Sequence, residues 1–280
     1  MGFQSDFMQG TTTVAGTEVT YYESGPVDGR NETIVLIHGT GGSAYGSFWA
    51  LMPMLSFKYK VVTLDLVDLH GEQTSISDYV EQVQAVIDVT TSTPVTVVGY
   101  SLGAVVAATL TSSAPDIVSN LVLVAGWLTT DQHQLLRNDL WFKLRDQAPD
   151  LLGEFTVLTS FSHRFLTSKT GSEIDGLAHQ IQNGPDRSAK MAANRTVDLT
   201  DIVPEISART LVIGCTEDRM APIAHSYALY AAIPDATFTD ISAGHSVMHE
   251  RPAEVFKRIH DFASASARHL DGGVLPPIHA

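Results

Sequence analysis

Six short runs along the chain are apolar at nearly every position rather than at alternate ones. They are "TIVLIHG" from Thr33, "YKVVTLD" from Tyr59, "PVTVVG" from Pro94, "NLVLVAG" from Asn120, "RTLVIG" from Arg209 and "ATFTDI" from Ala236. Continuous apolar runs of this length are those of central strands buried on both faces. Ahead of them, "TTTVAGTEVTYYE" places two Thr/Val/Tyr-rich runs around Ala15-Gly16, which predicts a hairpin. Helical signals fall between the strands. Ser75 and Asp78 have the spacing of a capping pair, and Tyr79, Val83, Val86 and Ile87 follow on one apolar face. After Pro252, the residues Val255, Phe256, Ile259, Phe262 and Ala263 recur at helical spacing, so a last helix is expected to pack on the sheet. Strands alternating with helices predict an α/β fold, a mostly parallel, doubly wound sheet.

One stretch breaks this rhythm. From Trp127 to about Thr200 there is no parallel-strand run, only segments such as "DQHQLLRNDLWFKLRDQ" with helical character. An insertion of that size after the sixth strand is expected to form a helical cap. The organisation read from the chain is a core over 1–126, a cap over 127–200, and the rest of the core with a C-terminal helix over 201–280. The tail "DGGVLPPIHA" has the Gly and Pro content of a loose or edge-docked end.

Composition narrows the partners. The 280 residues carry a formal charge of -14, which opposes a nucleic-acid or anionic-membrane surface. The single cysteine, Cys215, excludes an internal disulfide framework and fits a reducing, cytoplasmic setting, with the thiol read as a small buried hydrophobe. The N-terminus lacks a secretory pattern, and Asp6 stands where a myristoylation signal needs Ser or Thr. No window has the run of apolar residues a membrane span needs. The expected partner is a small molecule, with no nucleic acid and no membrane; a homodimer is left open.

Chemistry concentrates where strands end. Gly99-Tyr100-Ser101-Leu102-Gly103 joins a buried strand to a helix rich in small residues. Such a turn holds its serine in a strained conformation, and small residues two before and two after it let the flanking backbones pass. Read blandly, the same pentapeptide is a tight turn with an incidental serine. Upstream, His38-Gly39-Thr40-Gly41-Gly42 follows another buried strand. Such a loop can aim a backbone N–H at a developing oxyanion, with the Leu102 N–H as second donor. It lacks the Lys-Ser/Thr of a phosphate loop and the spacing of a dinucleotide site. Downstream, "LVIGCTEDRMAP" sets Asp218 after a strand and "ISAGHSVMHERP" sets His245 after the last one. Glu217 and His249 are the rivals at these two positions; Pro222 and Gly244 favour Asp218 and His245. The order Ser, Asp, His, each at the end of its own strand, is that of a known architecture.

On "HGTGG", "GYSLG", "TEDRMAP" and "AGHSVMHERP", the chain resembles a serine hydrolase of the α/β-hydrolase superfamily over about 11–126 and 201–267. The resemblance implies Ser101 as nucleophile, His245 as base, Asp218 as acid, and the Thr40 and Leu102 N–H groups as oxyanion hole. It implies no metal and no cofactor, and it gives His38 a structural part. A serine nucleophile sets the chain apart from epoxide hydrolases and haloalkane dehalogenases, which use a carboxylate. The chain departs from the family at "DLVDLHGEQTS", where a longer loop would carry His70 as a solvated residue or a substrate contact. The implied activity is hydrolysis of a hydrophobic carboxylic ester or lactone of small to medium size through an acyl-enzyme. The alternatives on the same fold are a C–C bond hydrolase acting on a β-diketone-like substrate, a cofactor-free lyase or perhydrolase, and a ligand receptor.

Substrate contacts are expected from Tyr100, Trp127, Trp141, Met220 and Met248. Phe142, Phe155, Phe161, Phe165 and Met191 add further apolar surface, most of it for the cap's own core. Arg137, Arg145, Arg164 and Arg187 are candidates for a substrate carboxylate or plain surface charges.

Overall fold

Along the central strand, Ile34 and Leu36 belong to one hydrophobic layer and Val35 and Ile37 to the other, and all four are fully buried. Alternate side chains of a strand leave opposite faces. A strand apolar at every position must therefore be covered twice. The computed structural model describes residues 7–26, 32–92 and 94–265, and it places this strand in an eight-stranded sheet. The strands are β1 (Met8–Val14), β2 (Thr17–Ser24), β3 (Thr33–Ile37), β4 (Lys60–Leu64), β5 (Val95–Tyr100), β6 (Val118–Val124), β7 (Arg209–Cys215) and β8 (Ala236–Ile241). Their spatial order is β1-β2-β4-β3-β5-β6-β7-β8. The β1–β2 and β2–β4 pairs are antiparallel, and every later pair is parallel.

The expected hairpin is β1–β2. Its two-residue turn has φ of 48° at Ala15 and 79° at Gly16, the left-handed geometry that matches strand twist. The helix Ile76–Thr90 opens on the expected capping box, with Ser75 and Asp78 satisfying one another's backbone N–H. Its Tyr79, Val83, Val86 and Ile87 pack in the same layer as the helix Leu102–Ser113. The opposite layer receives Phe48, Leu51, Met52 and Leu55 from the segment after β3, and Val255, Ile259 and Phe262 from the helix Pro252–Ser264. The chain thus leaves β3 toward one layer and β5 toward the other. Loops that diverge in this way open a crevice at the C-terminal edge between two neighbouring strands, the topological switch point of a doubly wound sheet.

Between β6 and β7 stand the helices Gln132–Gln147, Leu152–Ser160, His163–Thr167, Gly171–Gln182 and Ser188–Ala193. The two ends of this insertion are stitched together: the Thr130 N–H donates to Val197 O and the Leu199 N–H to Leu128 O, both at 2.9 Å. Cys215 is buried at the end of β7. No helix among the described residues is long and apolar enough to cross a membrane. The "DGGVLPPIHA" tail and Asp6 lie outside the described residues.

The last helix is fastened at its far end. Arg209 lies over the Phe262 ring, 4.0 Å from its centroid, and donates to the carbonyls of Phe262 and of Ala265, the latter at 2.8 Å. A cation there satisfies the carbonyls that a helix end leaves over. Phe262→Ala should lower the unfolding free energy by about 3–5 kcal/mol in urea titrations. A loss under about 1 kcal/mol would mean that the ring does not anchor the helix.

Candidate active site

Ser101 is the whole connection between β5 and the helix Leu102–Ser113. Its backbone sits at φ 57°, ψ -121°, a conformation that costs a non-glycine residue on the order of 1–3 kcal/mol. The surroundings enforce it. A Cβ on Gly99 would stand 2.2 Å from Gly103 O, and one on Gly103 would stand 2.1 Å from Ile37 O. Both positions therefore need glycine because backbone passes where a side chain would be. The Ser101 N–H donates to Val124 O at 2.9 Å, which ties the turn to β6.

The loops after β7 and β8 bring two more groups to this serine. His245 Nε2 lies 2.8 Å from Ser101 Oγ, and His245 Nδ1 lies 2.7 Å from Asp218 Oδ2. A carboxylate can only accept, so Nδ1 carries the proton and Nε2 is left to accept from the serine hydroxyl. The other carboxylate oxygen, Oδ1, accepts from the N–H groups of Met220 (2.7 Å) and Ala221 (2.9 Å). Asp218 is thereby held in one orientation, with its side chain fully buried. Glu217 turns elsewhere and accepts from the His163 N–H at 3.2 Å. His249 packs against Trp49 and Phe161, with ring centroids 6.4 and 6.5 Å away, and burial holds its pKa below the usual imidazole value.

Glu250, two residues before Pro252, fixes the histidine loop. One carboxylate oxygen accepts from Gly244 N–H (3.1 Å) and Ser162 N–H (2.8 Å), while the other accepts from Ser162 Oγ (2.5 Å). The loop carrying His245 is thus joined to the insertion.

The glycine loop after β3 presses on the serine from the other side. A Cβ on Gly39 would lie 2.9 Å from Ser101 Cβ and 3.3 Å from Ser101 Oγ. His38 braces this loop: its Nδ1 is 2.8 Å from Gly39 O, and its Nε2 accepts from the Leu66 N–H at 3.0 Å. Asp65 Oδ1 accepts from the Ala44 N–H at 2.7 Å. Thr40 is joined to the far end of the insertion, its Oγ1 accepting from Asn194 Nδ2 at 2.9 Å. Leu102 opens its helix, so its N–H has no carbonyl a turn earlier in that helix to bond. The side chain of Leu102 is buried in the core and offers the site only that amide.

Above Ser101 lies a cavity of about 490 Å³, walled by the glycine loop, the histidine loop and the insertion. Tyr100, Trp127, Trp141, Met220 and Met248 all line it, as do Phe161 and Met191. Phe142, Phe155 and Phe165 do not line it; Phe165 packs with Phe161 inside the insertion. The Tyr100 hydroxyl donates to His245 O at 2.7 Å, and burial raises its pKa well above the usual phenol value. Its contribution is therefore to seat the histidine as well as to wall the pocket. Of the four arginines, Arg137 and Arg187 line the cavity, Arg145 pairs with Glu72 and Asp146, and Arg164 is exposed. His70 lies outside the cavity, half exposed, 3.6 Å from Asp78. Sequence reading missed Glu250 and Asn194 as fasteners; the first lies within the quoted "AGHSVMHERP", and the second carries no local signal. Among the described residues no group of three His, Cys, Asp or Glu side chains is placed to hold a metal ion.

A strained serine on a strand-to-helix turn, hydrogen-bonded to a histidine and through it to an aspartate, is the arrangement that the α/β-hydrolase resemblance implies. The alpha/beta hydrolase family model matches residues 34–258, and the chain belongs to that family. It is 28% identical over 247 residues to the pyrrolizixenacetamide deacetylase of Xenorhabdus hominickii, covering 84% of this chain and 92% of that one. It is 30% identical over 238 residues to a Caulobacter segnis protein named "Putative carbamate hydrolase RutD", covering 78% of this chain and 85% of the relative. Among solved structures, the enol-lactonase of Burkholderia xenovorans LB400 shares the fold with a TM-score of 0.79 at 22% identity, covering 91% of this chain and all of that one.

Burial lowers the His38 pKa from 6.5 to about 4. Between those values the unfolded chain binds the proton that the folded one refuses, so stability is complete above about pH 6.5 and falls as pH drops toward 4. The loss attributable to His38 is about 3 kcal/mol on the linkage scale. Unfolding titrations across this range should give a shallower slope for His38→Gln than for the wild type; parallel slopes would contradict the assignment.

Proposed function

We propose that this hydrolase cleaves a carboxylic ester or lactone through an acyl-enzyme on Ser101. The observation that carries the reading is the hydrogen-bonded line from Ser101 Oγ to His245 (2.8 Å) and on to Asp218 (2.7 Å). A free serine is a weak nucleophile near neutral pH and needs such a base within reach. His245 Nε2 takes the hydroxyl proton as Oγ attacks the carbonyl carbon, and Asp218 stabilises the imidazolium that forms. The carbonyl oxygen gains negative charge between the N–H groups of Thr40 and Leu102, where the start of the helix adds positive potential. His245 then gives its proton to the leaving oxygen. A water deprotonated by His245 attacks the acyl-enzyme in turn and frees the acid.

In this reading the insertion is a cap that walls the substrate from bulk water, and the substrate contacts come from Trp127, Trp141, Met220 and Met248. The names of two relatives point to acyl groups bound to nitrogen, an acetamide and a carbamate. The same triad serves such substrates, because His245 can protonate a leaving nitrogen as readily as an oxygen. An acyl–nitrogen substrate is therefore the second reading. The single cysteine, buried, supports placement in the cytoplasm.

A p-nitrophenyl ester series of rising acyl length, with p-nitroacetanilide beside it, tests the proposal. Wild-type protein should give a burst of nitrophenol followed by slower turnover, and Ser101→Ala should give none while keeping its Tm. Asp218→Asn should lower kcat by about 10⁴-fold, since its amide would donate to His245 Nδ1, leave the ring proton on Nε2 facing Ser101, and remove the counter-charge. Turnover by Ser101→Ala at a rate close to wild type would overturn the assignment. Inertness of the wild type toward every member would direct the search to C–C cleavage or a non-hydrolytic role.

A further inference from the structure

The cavity above Ser101 holds two guanidinium groups, and no Asp or Glu is among its lining residues. Arg137 comes from the helix Gln132–Gln147, and Arg187 immediately precedes the helix Ser188–Ala193. Neither forms an ion pair among the described residues, whereas Arg145, Arg195 and Arg251 each have a carboxylate within 4 Å. Arg187 has one weak side-chain hydrogen bond, to Thr156 Oγ1 at 3.3 Å, and stands 5.6 Å from the centroid of the Trp141 ring. Arg137 Nε is buried with no hydrogen-bond partner, and so are Trp141 Nε1 and two amide oxygens of the same wall, Asn138 Oδ1 and Asn194 Oδ1. Those amide oxygens are neutral, so the two guanidinium charges have no counter-charge among the lining residues.

This arrangement is costly as it stands. Burial and the neighbouring Arg137 charge push the Arg187 pKa down to about 10 against the opposing pull of Asp186, and burial lowers that of Arg137 against the pull of Asp218. Both groups nonetheless remain charged at neutral pH. Two like charges in a poorly solvated wall are tolerated when something brings the opposite charge. The protein itself carries a formal charge of -14, so a cationic pocket is a local reversal of its overall field. The position is also specific: a Cβ on Gly41 would lie 2.8 Å from Arg187 Nη1, so the guanidinium reaches the glycine loop beside Thr40.

We propose that Arg137 and Arg187, with Trp141 Nε1, form a subsite for a carboxylate on the substrate, so that the enzyme acts on anionic acyl compounds in preference to neutral ones. A carboxylate accepts at both oxygens and matches the planar fork of a guanidinium, which an ester carbonyl does less well. Trp127 and Met191 supply apolar surface for the carbon chain between that carboxylate and the reacting carbonyl. The inference rests on the hydrolase reading of the same cavity and narrows its substrate class.

Half-esters compared with neutral esters of equal chain length test it. Monomethyl succinate and monomethyl adipate would be set against methyl butanoate and methyl hexanoate, with acid release followed in a pH-stat. At one chain length or both, the half-ester should be preferred by about 10–100-fold in kcat/KM, mostly through KM. In Arg137→Gln and in Arg187→Gln that ratio should collapse toward one. A binding measurement that needs no turnover runs beside it: Ser101→Ala titrated with monomethyl adipate and with methyl hexanoate, followed by tryptophan fluorescence. The half-ester should bind more tightly than the neutral ester, and the difference should vanish when either arginine is also replaced. Ligand-free Arg187→Met should melt at or above the wild-type Tm, because an unpaired charge has been removed; a structural arginine would lower it. Ester turnover with no preference for the half-ester, or a preference that survives both replacements, overturns the subsite and leaves the hydrolase reading intact. Arginine-dependent binding of the half-ester without turnover of any ester supports the subsite and counts against the hydrolase reading.

Discussion

One residue in an unfavourable backbone conformation organises the functional end of this molecule. Ser101 at φ 57° persists because strand β5 must pass directly into a helix with no loop between them, and the cost of about 1–3 kcal/mol is carried by the packing around it. That packing has almost no room. Gly99, Gly103 and Gly39 lie where backbone or Ser101 itself would meet a Cβ at under 3 Å, and Gly126 faces the methyl of Ala104 in the same way, at 2.7 Å. The reward for this crowding is a hydroxyl held out toward the cavity with its neighbours out of the way. Every other group at the site approaches that fixed point.

The sheet explains why those groups arrive together. The chain leaves β3 on one side of the sheet and β5 on the other, so the glycine loop and the serine turn stand side by side at the strand ends. β7 and β8 end at the same edge and deliver Asp218 and His245. The second layer of contacts is polar and specific. His38 braces the glycine loop, Tyr100 holds the His245 carbonyl, and Glu250 fastens the histidine loop to Ser162. Preorganised groups of this kind do not have to be ordered at the moment of reaction.

Much of this was legible in the chain because its signals are local. The doubly covered strands are uniformly apolar runs, "ATFTDI" coincides with β8, and Ser75 with Asp78 is a capping box. The serine turn announces itself through two glycines, and the order of Ser101, Asp218 and His245 follows from where the strands end. What was not legible depends on contacts distant in sequence. Four arginines between 137 and 187 look alike as letters, yet Arg145 finds Glu72 from another part of the fold while Arg137 and Arg187 have no carboxylate within 4 Å among the described residues. Phe161 and Phe165 are four residues apart and equally apolar, and only the first reaches the cavity. Tyr100 reads as a substrate contact by its place beside the serine, and its hydroxyl turns out to be engaged with His245. Helical periodicity tells which positions share a face; it does not tell which face looks into a pocket.

The paired hydrogen bonds between Leu128–Thr130 and Val197–Leu199 bring the two ends of the insertion out of the core side by side. Topologically the insertion is then a long excursion from one point on the sheet's edge. Its helices can be reshaped without altering the register of any strand, except where Ser162 and Asn194 fasten it to the histidine and glycine loops. Mechanically it is a hood hung from one neck and pinned along its rim, so a change between the pins reshapes the cavity wall while the sheet stays still.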